Sequence, residues 1–144
     1  MFLSQDGPTP PSAFTATIDK DHVYTFGQNI VFDVVITNIG NDYYPDPYGS
    51  YYLCPRHGIY MFTVTIHNVY GYTMGAELIL TSYRTMLDVY ASDEHQHQST
   101  MTVLLECDER EQVRVHCTSS GEGRMYGDSA YRENMFSGVL LHPF

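Results

Sequence analysis

From Gly58 to His67 every second residue after the glycine is apolar. Tyr60, Phe62, Val64 and Ile66 are apolar, and Thr63, Thr65 and His67 fall between them. Successive side chains of a strand point to opposite faces, so such a segment buries one face and offers the other to water or a partner, which the longer period of a helix does not allow. Phe14, Ala16 and Ile18 alternate in the same way around Thr15 and Thr17, as do Ile30, Phe32, Val34 and Ile36 around Asp33 and Thr37. Further strands are predicted over 74–83, 86–91, 100–107, 112–118 and 136–141, separated by loops rich in Gly, Asp, Asn and Pro. Pro55 lacks an amide donor and suits the loop before a strand, and Gly58 permits a tight entry. No segment carries a helical stripe. This many short strands in 144 residues predict a two-sheet sandwich or a barrel.

Composition narrows the class. Thirteen Tyr and seven Phe without any Trp suit pleated surfaces. No apolar run approaches the ~18 residues that would span a membrane. A net charge of −10 repels phosphate backbones and anionic lipid, so nucleic acid is excluded as a partner. The opening MFLSQDGPTPPS has neither the basic nor the apolar region of a signal peptide. Either the chain is cytosolic or a signal has been removed.

Residues 38–64, NIGNDYYPDPYGSYYLCPRHGIYMFTV, carry in order Asn38, Gly40, Tyr43, Gly49, Tyr52, Cys54, Pro55, Gly58, Tyr60 and Phe62. That succession resembles the signature of the complement C1q globular domain. PSAFTATI resembles the family's opening strand, VLLECDEREQVRV its penultimate hairpin, and FSGVLLHP at 136–143 its closing strand. Together they assign 12–144 to the domain and leave 1–11 as a tail or linker. The resemblance implies an all-β fold, a ten-stranded jelly-roll β-sandwich of the C1q and tumour-necrosis-factor type that packs into homotrimers. It also implies a recognition role without catalysis, toward immunoglobulin, microbial glycans, lipopolysaccharide or receptors. No collagen-like Gly-X-Y repeat is present, so the chain is most similar to stand-alone secreted forms abundant in bivalve molluscs, which resemble cerebellins. No Gly-x-Ser-x-Gly, His-Glu-x-x-His or Cys-x-x-Cys motif is found.

Two stretches are candidate sites. Tyr43, Tyr44, Tyr48, Tyr51 and Tyr52, interleaved with Asp42, Pro45, Asp46 and Pro47, form a candidate ligand-binding loop with Tyr43, Tyr44, Asp46 and Tyr48 as its binding residues, since tyrosine offers a flat apolar face and a hydroxyl for stacking on a sugar. The competing reading places Tyr51 or Tyr52 at the start of a core strand and the rest at a subunit interface. In SDEHQHQS, residues 92–99, Asp93, Glu94, His95 and His97 are candidate metal ligands, for calcium through the carboxylates or zinc through the imidazoles. A solvated loop is the competing reading. In some C1q-domain relatives the loop corresponding to 88–98 lies near the trimer axis and carries calcium-binding carboxylates, although Asp93 and Glu94 do not fall on the aligned ligand positions. No cofactor other than calcium is expected. His67 and His116 fall on faces opposite the apolar ones, as surface or interface residues.

Three cysteines leave at least one unpaired within the chain. Cys107 and Cys117 flank the turn at 108–111, but at ~3.3 Å per residue they lie roughly 16 Å apart, well beyond the ~7 Å reach of a disulfide. The family's usual partner for a cysteine at position 54 would lie near MGAEL, where this chain has none. Three thiols, largely buried and inert, are the expectation, with an interchain bond open to any that is exposed. The function expected is that of a secreted, non-enzymatic innate-immune recognition module for microbial glycans or lipopolysaccharide. The alternatives are an acidic, cation-binding extracellular structural or biomineral protein and a cerebellin-like adhesion or signalling ligand.

Overall fold

Twelve antiparallel strands and no helix make up the described part of the chain. The computed structural model describes residues 8–80, 84–91, 97–128, 130 and 133–144, with 84–91 as backbone. In order the strands are β1 (Ala13–Thr17), β2 (His22–Tyr24), β3 (Val34–Ile39), β4 (Tyr43–Tyr44), β5 (Tyr51–Leu53), β6 (Gly58–His67), β7 (Met74–Leu80), β8 (Arg84–Ala91), β9 (Gln98–Cys107), β10 (Gln112–Cys117), β11 (Gly123–Met125) and β12 (Met135–Pro143). Ten of them form two five-stranded sheets, ordered β3-β1-β12-β6-β9 and β4-β5-β10-β7-β8, while β2 and β11 pair as a short separate ribbon. The expected ten-stranded jelly roll is therefore present, with the ribbon added to it.

One apolar core takes side chains from both sheets. The first sheet supplies Phe14, Ala16, Tyr60, Phe62, Val64, Ile66 and Phe136, and the second Tyr43, Tyr52, Ala76, Leu78, Val113 and Val115. The alternation read in 58–67 is reproduced residue by residue, every even position of β6 being buried. β12 lies in the middle of its sheet, between β1 and β6. Phe136 packs edge-on to Phe14 at 4.8 Å between ring centroids. One turn of the pleat further on, a Cβ at Gly138 would stand 2.6 Å from ring atoms of both Phe14 and Phe62, closer than any carbon pair tolerates, so glycine is required here by the rings and not by backbone conformation. Gly138→Ala should therefore overpack the core and destabilise by roughly 1–3 kcal/mol. Chemical denaturation checks this, and an unchanged midpoint would mean that the rings yield freely.

Gly58 is required for a similar reason, since a Cβ there would meet the His142 carbonyl oxygen at 2.4 Å where β12 closes against the start of β6. Before that strand the chain bends through Pro55–His57. The bend is held by the Tyr60 hydroxyl, which donates to the Arg56 carbonyl at 2.5 Å and accepts from the Arg56 amide at 3.2 Å.

One strand departs from its reading. Ile30 and Phe32 are buried as the alternation predicts, but they precede the strand, which begins at Val34 and runs along the edge of the first sheet. Its register against β1 shifts between Thr15 and Ala16. That irregularity breaks the alternation, and Ile36 is turned outward, 46% exposed, instead of reaching the core. All three cysteines are buried and unbridged, which leaves none at the surface for an interchain bond.

The outer face of the first sheet has an order that no single strand reveals. Ile39, Ala13, Val139, Met61 and Leu104 are successive cross-strand partners over all five strands. They form an apolar row that ends on Leu104, 61% exposed. The next row is Thr37, Thr15, Ser137, Thr63 and Thr102, five hydroxyls side by side, with Thr63 and Thr102 hydrogen-bonded at 3.2 Å. Between the rows lies a shallow hollow of about 210 Å³ floored by Gly138 and lined by Ala13, Met61 and Val139. Among the described residues no helix is long and apolar enough to cross a membrane.

Candidate functional site

The tyrosine-rich segment begins at the turn from β3 to β4. Gly40 at φ 93° and Asn41 at φ 59° both lie in the left-handed region, which glycine and asparagine tolerate best. Asn38 closes this turn with its side chain. Its Nδ2 donates to the Tyr43 carbonyl at 2.9 Å, and its Oδ1 accepts from the Tyr43 amide at 3.1 Å. A carboxamide thus takes the place of a neighbouring strand and joins the edge of one sheet to the edge of the other.

Tyr43, pinned in this way, points inward. It is 2% exposed, stacks on Phe14 at 4.7 Å with the rings 5° from parallel, and donates its hydroxyl to the Phe32 carbonyl at 2.6 Å. Burial pushes its phenol well above the ordinary tyrosine range. Tyr43 is therefore a core residue and leaves the candidate ligand set. The physical reason is its register opposite Tyr52, which is also fully buried. The Tyr52 hydroxyl is 2.5 Å from Ser12 Oγ, which in turn donates to Asp42 Oδ2 at 2.6 Å.

The connection from β4 to β5 is a turn organised by Asp46. Its Oδ1 accepts from the Tyr48 amide at 2.9 Å and its carbonyl from the Gly49 amide at 3.0 Å. Asp46 thereby holds the turn that lifts Tyr48 into solvent, 93% exposed. Gly49 packs so closely beneath that an added Cβ would lie 2.6 Å from Asn29 Nδ2 and 3.2 Å from Arg114 Nη1. The Ser50 hydroxyl accepts from the Phe32 amide at 3.1 Å and donates to the Ile30 carbonyl at 3.2 Å.

The base of this hairpin opens onto the outer face of the second sheet. Tyr44 faces Tyr51 across the β4–β5 pair, the rings stacked at 5.0 Å and 21°. The Arg114 guanidinium lies 4.9 Å from the Tyr51 ring centroid, and Arg114 Nη2 donates to Gln112 Oε1. By register the row continues from Arg114 to Ile79 of β7. A shallow hollow of about 160 Å³ lies over Ile79, Gln112, Arg114 and His116. Tyr51 is occupied on both sides of the row, whereas Tyr44, on the edge strand, is 41% exposed. The arrangement presents an aromatic face and a cation on one rigid sheet, which can stack on an apolar ring face while a guanidinium engages an oxygen-rich group.

The model of the C1q domain family matches residues 13–141. The chain belongs to the C1q-domain family. Among solved structures it is similar to the globular domain of zebrafish complement 1qA, with a TM-score of 0.72 at 14% identity over 92% of this chain and 99% of that one. It is similar also to Eiger TNF from S. frugiperda, with a TM-score of 0.70 at 14% identity over 94% and 96%. Murine APRIL gives a TM-score of 0.67 at 11% identity over 91% and 99%. These likenesses establish the C1q and tumour-necrosis-factor jelly roll.

Within this C1q domain the sequence candidates separate. Tyr44 and Tyr48 are the exposed rings, Asp46 shapes the turn and Tyr43 is core. Tyr51, one of the tyrosines of the candidate loop, is joined in the row by Arg114, which the sequence does not single out. A signal exists for Arg114, which lies between buried Val113 and Val115 and so must face outward, but only the strand pairing places it beside Tyr51. Of the candidate metal ligands, Asp93, Glu94 and His95 lie outside the described residues. His97 is exposed, its amide donating to Asn68 Oδ1 at 2.7 Å. Among the described residues no group of three or more His, Cys, Asp or Glu is placed to hold a metal ion. His67, on the outer face of the first sheet, pairs through Nδ1 with Glu133.

Proposed function

We propose that this C1q-domain protein is a secreted, non-enzymatic recognition module, assembled as a homotrimer, that binds microbial glycans through the tyrosine hairpin. The observation that carries the reading is the row Tyr44–Tyr51–Arg114. A stacked aromatic pair capped by a cation, on an exposed sheet face, suits a pyranose ring bearing hydroxyl, carboxylate or phosphate groups. In a chain of net charge −10 a single guanidinium in the row favours glycans with isolated rather than dense negative charge.

The apolar row Ile39–Ala13–Val139–Met61–Leu104 supports assembly through the opposite face, which leaves the tyrosine hairpin outward. Calcium is expected at the loop of Asp93, Glu94, His95 and His97, since hard oxygen ligands suit that ion.

A glycan and lipopolysaccharide panel run with calcium and with chelator tests the reading. Glycan binding should survive chelation, and Tyr44→Ala should weaken it by about threefold to tenfold, the worth of one aromatic contact. Bulk calcium loading with no glycan retained would favour an acidic matrix protein instead. Failure of every sugar, with capture of a purified receptor ectodomain, would favour a cerebellin-like ligand.

A further inference from the structure

Cys54 and Cys107 come from segments far apart in sequence and meet at one end of the sandwich. Cys107 ends β9 and is the cross-strand partner of Gly58. Cys54 lies just before the Pro55–His57 bend that leads into Gly58. The Cys54 amide donates to the Glu111 carbonyl at 2.9 Å, and the Arg110 amide donates to the Cys54 carbonyl at 2.7 Å. The turn that follows Cys107 is itself closed, the Asp108 amide donating to Glu111 Oε1 at 2.9 Å and the Glu111 amide to the Asp108 carbonyl at 3.2 Å. Cys54 is thus clamped to the far side of the turn that Cys107 begins.

Both side chains are fully buried, and the Cys107 thiol is the neighbour that acts most strongly on the Cys54 thiol. Cys117 has no part in this. It lies at the other end of β10, opposite Ala76 of β7.

We propose that Cys54 and Cys107 form a structural disulfide that joins the β5–β6 bend to the β9–β10 turn, with Cys117 remaining a thiol. The oxidant is a small-molecule or protein disulfide. One cysteine thiolate attacks it, forming a mixed disulfide and releasing one thiol. The second cysteine thiolate then displaces the other thiol. Two electrons pass from the cysteine sulfurs to the oxidant, which leaves as two thiols carrying the two protons. The neighbouring thiol and burial hold the Cys54 proton far more tightly than in a free cysteine, so the exchange belongs to folding, while both sulfurs are still accessible. Once buried, the bond is sheltered from reductant by the same packing. None of this depends on the ligand that the protein recognises.

The test is thiol counting. The full chain is refolded in a mixture of reduced and oxidised glutathione, quenched with acid, and alkylated with iodoacetamide in guanidinium without reductant. One alkyl group per chain, on Cys117, and a cross-linked peptide pair containing Cys54 and Cys107 are expected. In Cys117→Ala the cross-link should persist with no alkyl group taken up. Reduction of the parent under denaturing conditions, followed by refolding without oxidant, should lower the melting temperature by about 10 °C. Three alkyl groups per chain, or a cross-link that includes Cys117, would overturn the assignment.

Discussion

Phe136→Ala will lower the unfolding free energy of the domain by about 3 to 5 kcal/mol, a large share of what a domain of this size has. The ring lies at the centre of the core on the central strand of its sheet. It meets Phe14 at 4.8 Å, Phe32 at 5.7 Å, Tyr43 at 6.1 Å and Phe62 at 6.5 Å between centroids. Phe14 and Phe62 are held by their own strands, Phe32 by its amide donating to Ser50 and its carbonyl accepting from the Tyr43 hydroxyl, and Tyr43 also by the Asn38 carboxamide. They cannot collapse into the space, so the loss includes the cavity as well as the transferred surface. Urea titration gives the number directly. A mutant that melts within about two degrees of the parent would show that the core repacks around the gap.

Met61→Asp is expected to convert the protein from a particle of about three times 16.4 kDa to a monomer at micromolar concentration, measured by light scattering. Met61 is the fourth member of the apolar row on the outer face of the first sheet, between Val139 and Leu104. A carboxylate there would be desolvated without a partner if that face were covered by another copy, at a cost of several kcal/mol. The inner face of β6 would be untouched, so the monomer should keep its β-sheet circular dichroism. A parent that already scatters as 16.4 kDa, or a mutant that remains threefold, would assign the row to another purpose.

Much of this architecture is legible in the order of residues. The even positions of β6 and the pair Val113 and Val115 follow the pleat, because a strand inside a sheet has neighbours on both edges that keep its register straight. β3 has a neighbour on one side only and shares a register shift with β1, and there the alternation misplaces Ile36. Short strands such as Tyr43–Tyr44 are too brief for periodicity to mark. Their burial is set by what lies across from them, which is why Tyr43 and Tyr44, adjacent and alike in sequence, end on opposite sides of the same sheet. The recognition row is hidden for the same reason, because Tyr51 and Arg114 become neighbours only when β5 and β10 pair. Cys54 and Cys107 are a further case, since spacing along a hairpin can exclude Cys107 with Cys117 but says nothing of a bend brought in from 53 residues earlier in the chain.

The carboxamide of Asn38 bears on how such a protein survives at high concentration. Edge strands expose a row of unused amides and carbonyls that can nucleate pairing with a foreign strand. At the rim where β3 gives way to β4, Asn38 occupies both backbone groups of Tyr43, and the chain reverses immediately through two left-handed residues. A strand arriving from another molecule would find no free donor and acceptor pair at Tyr43, and an extended fluid-phase life without fibril growth becomes compatible with a surface this rich in tyrosine.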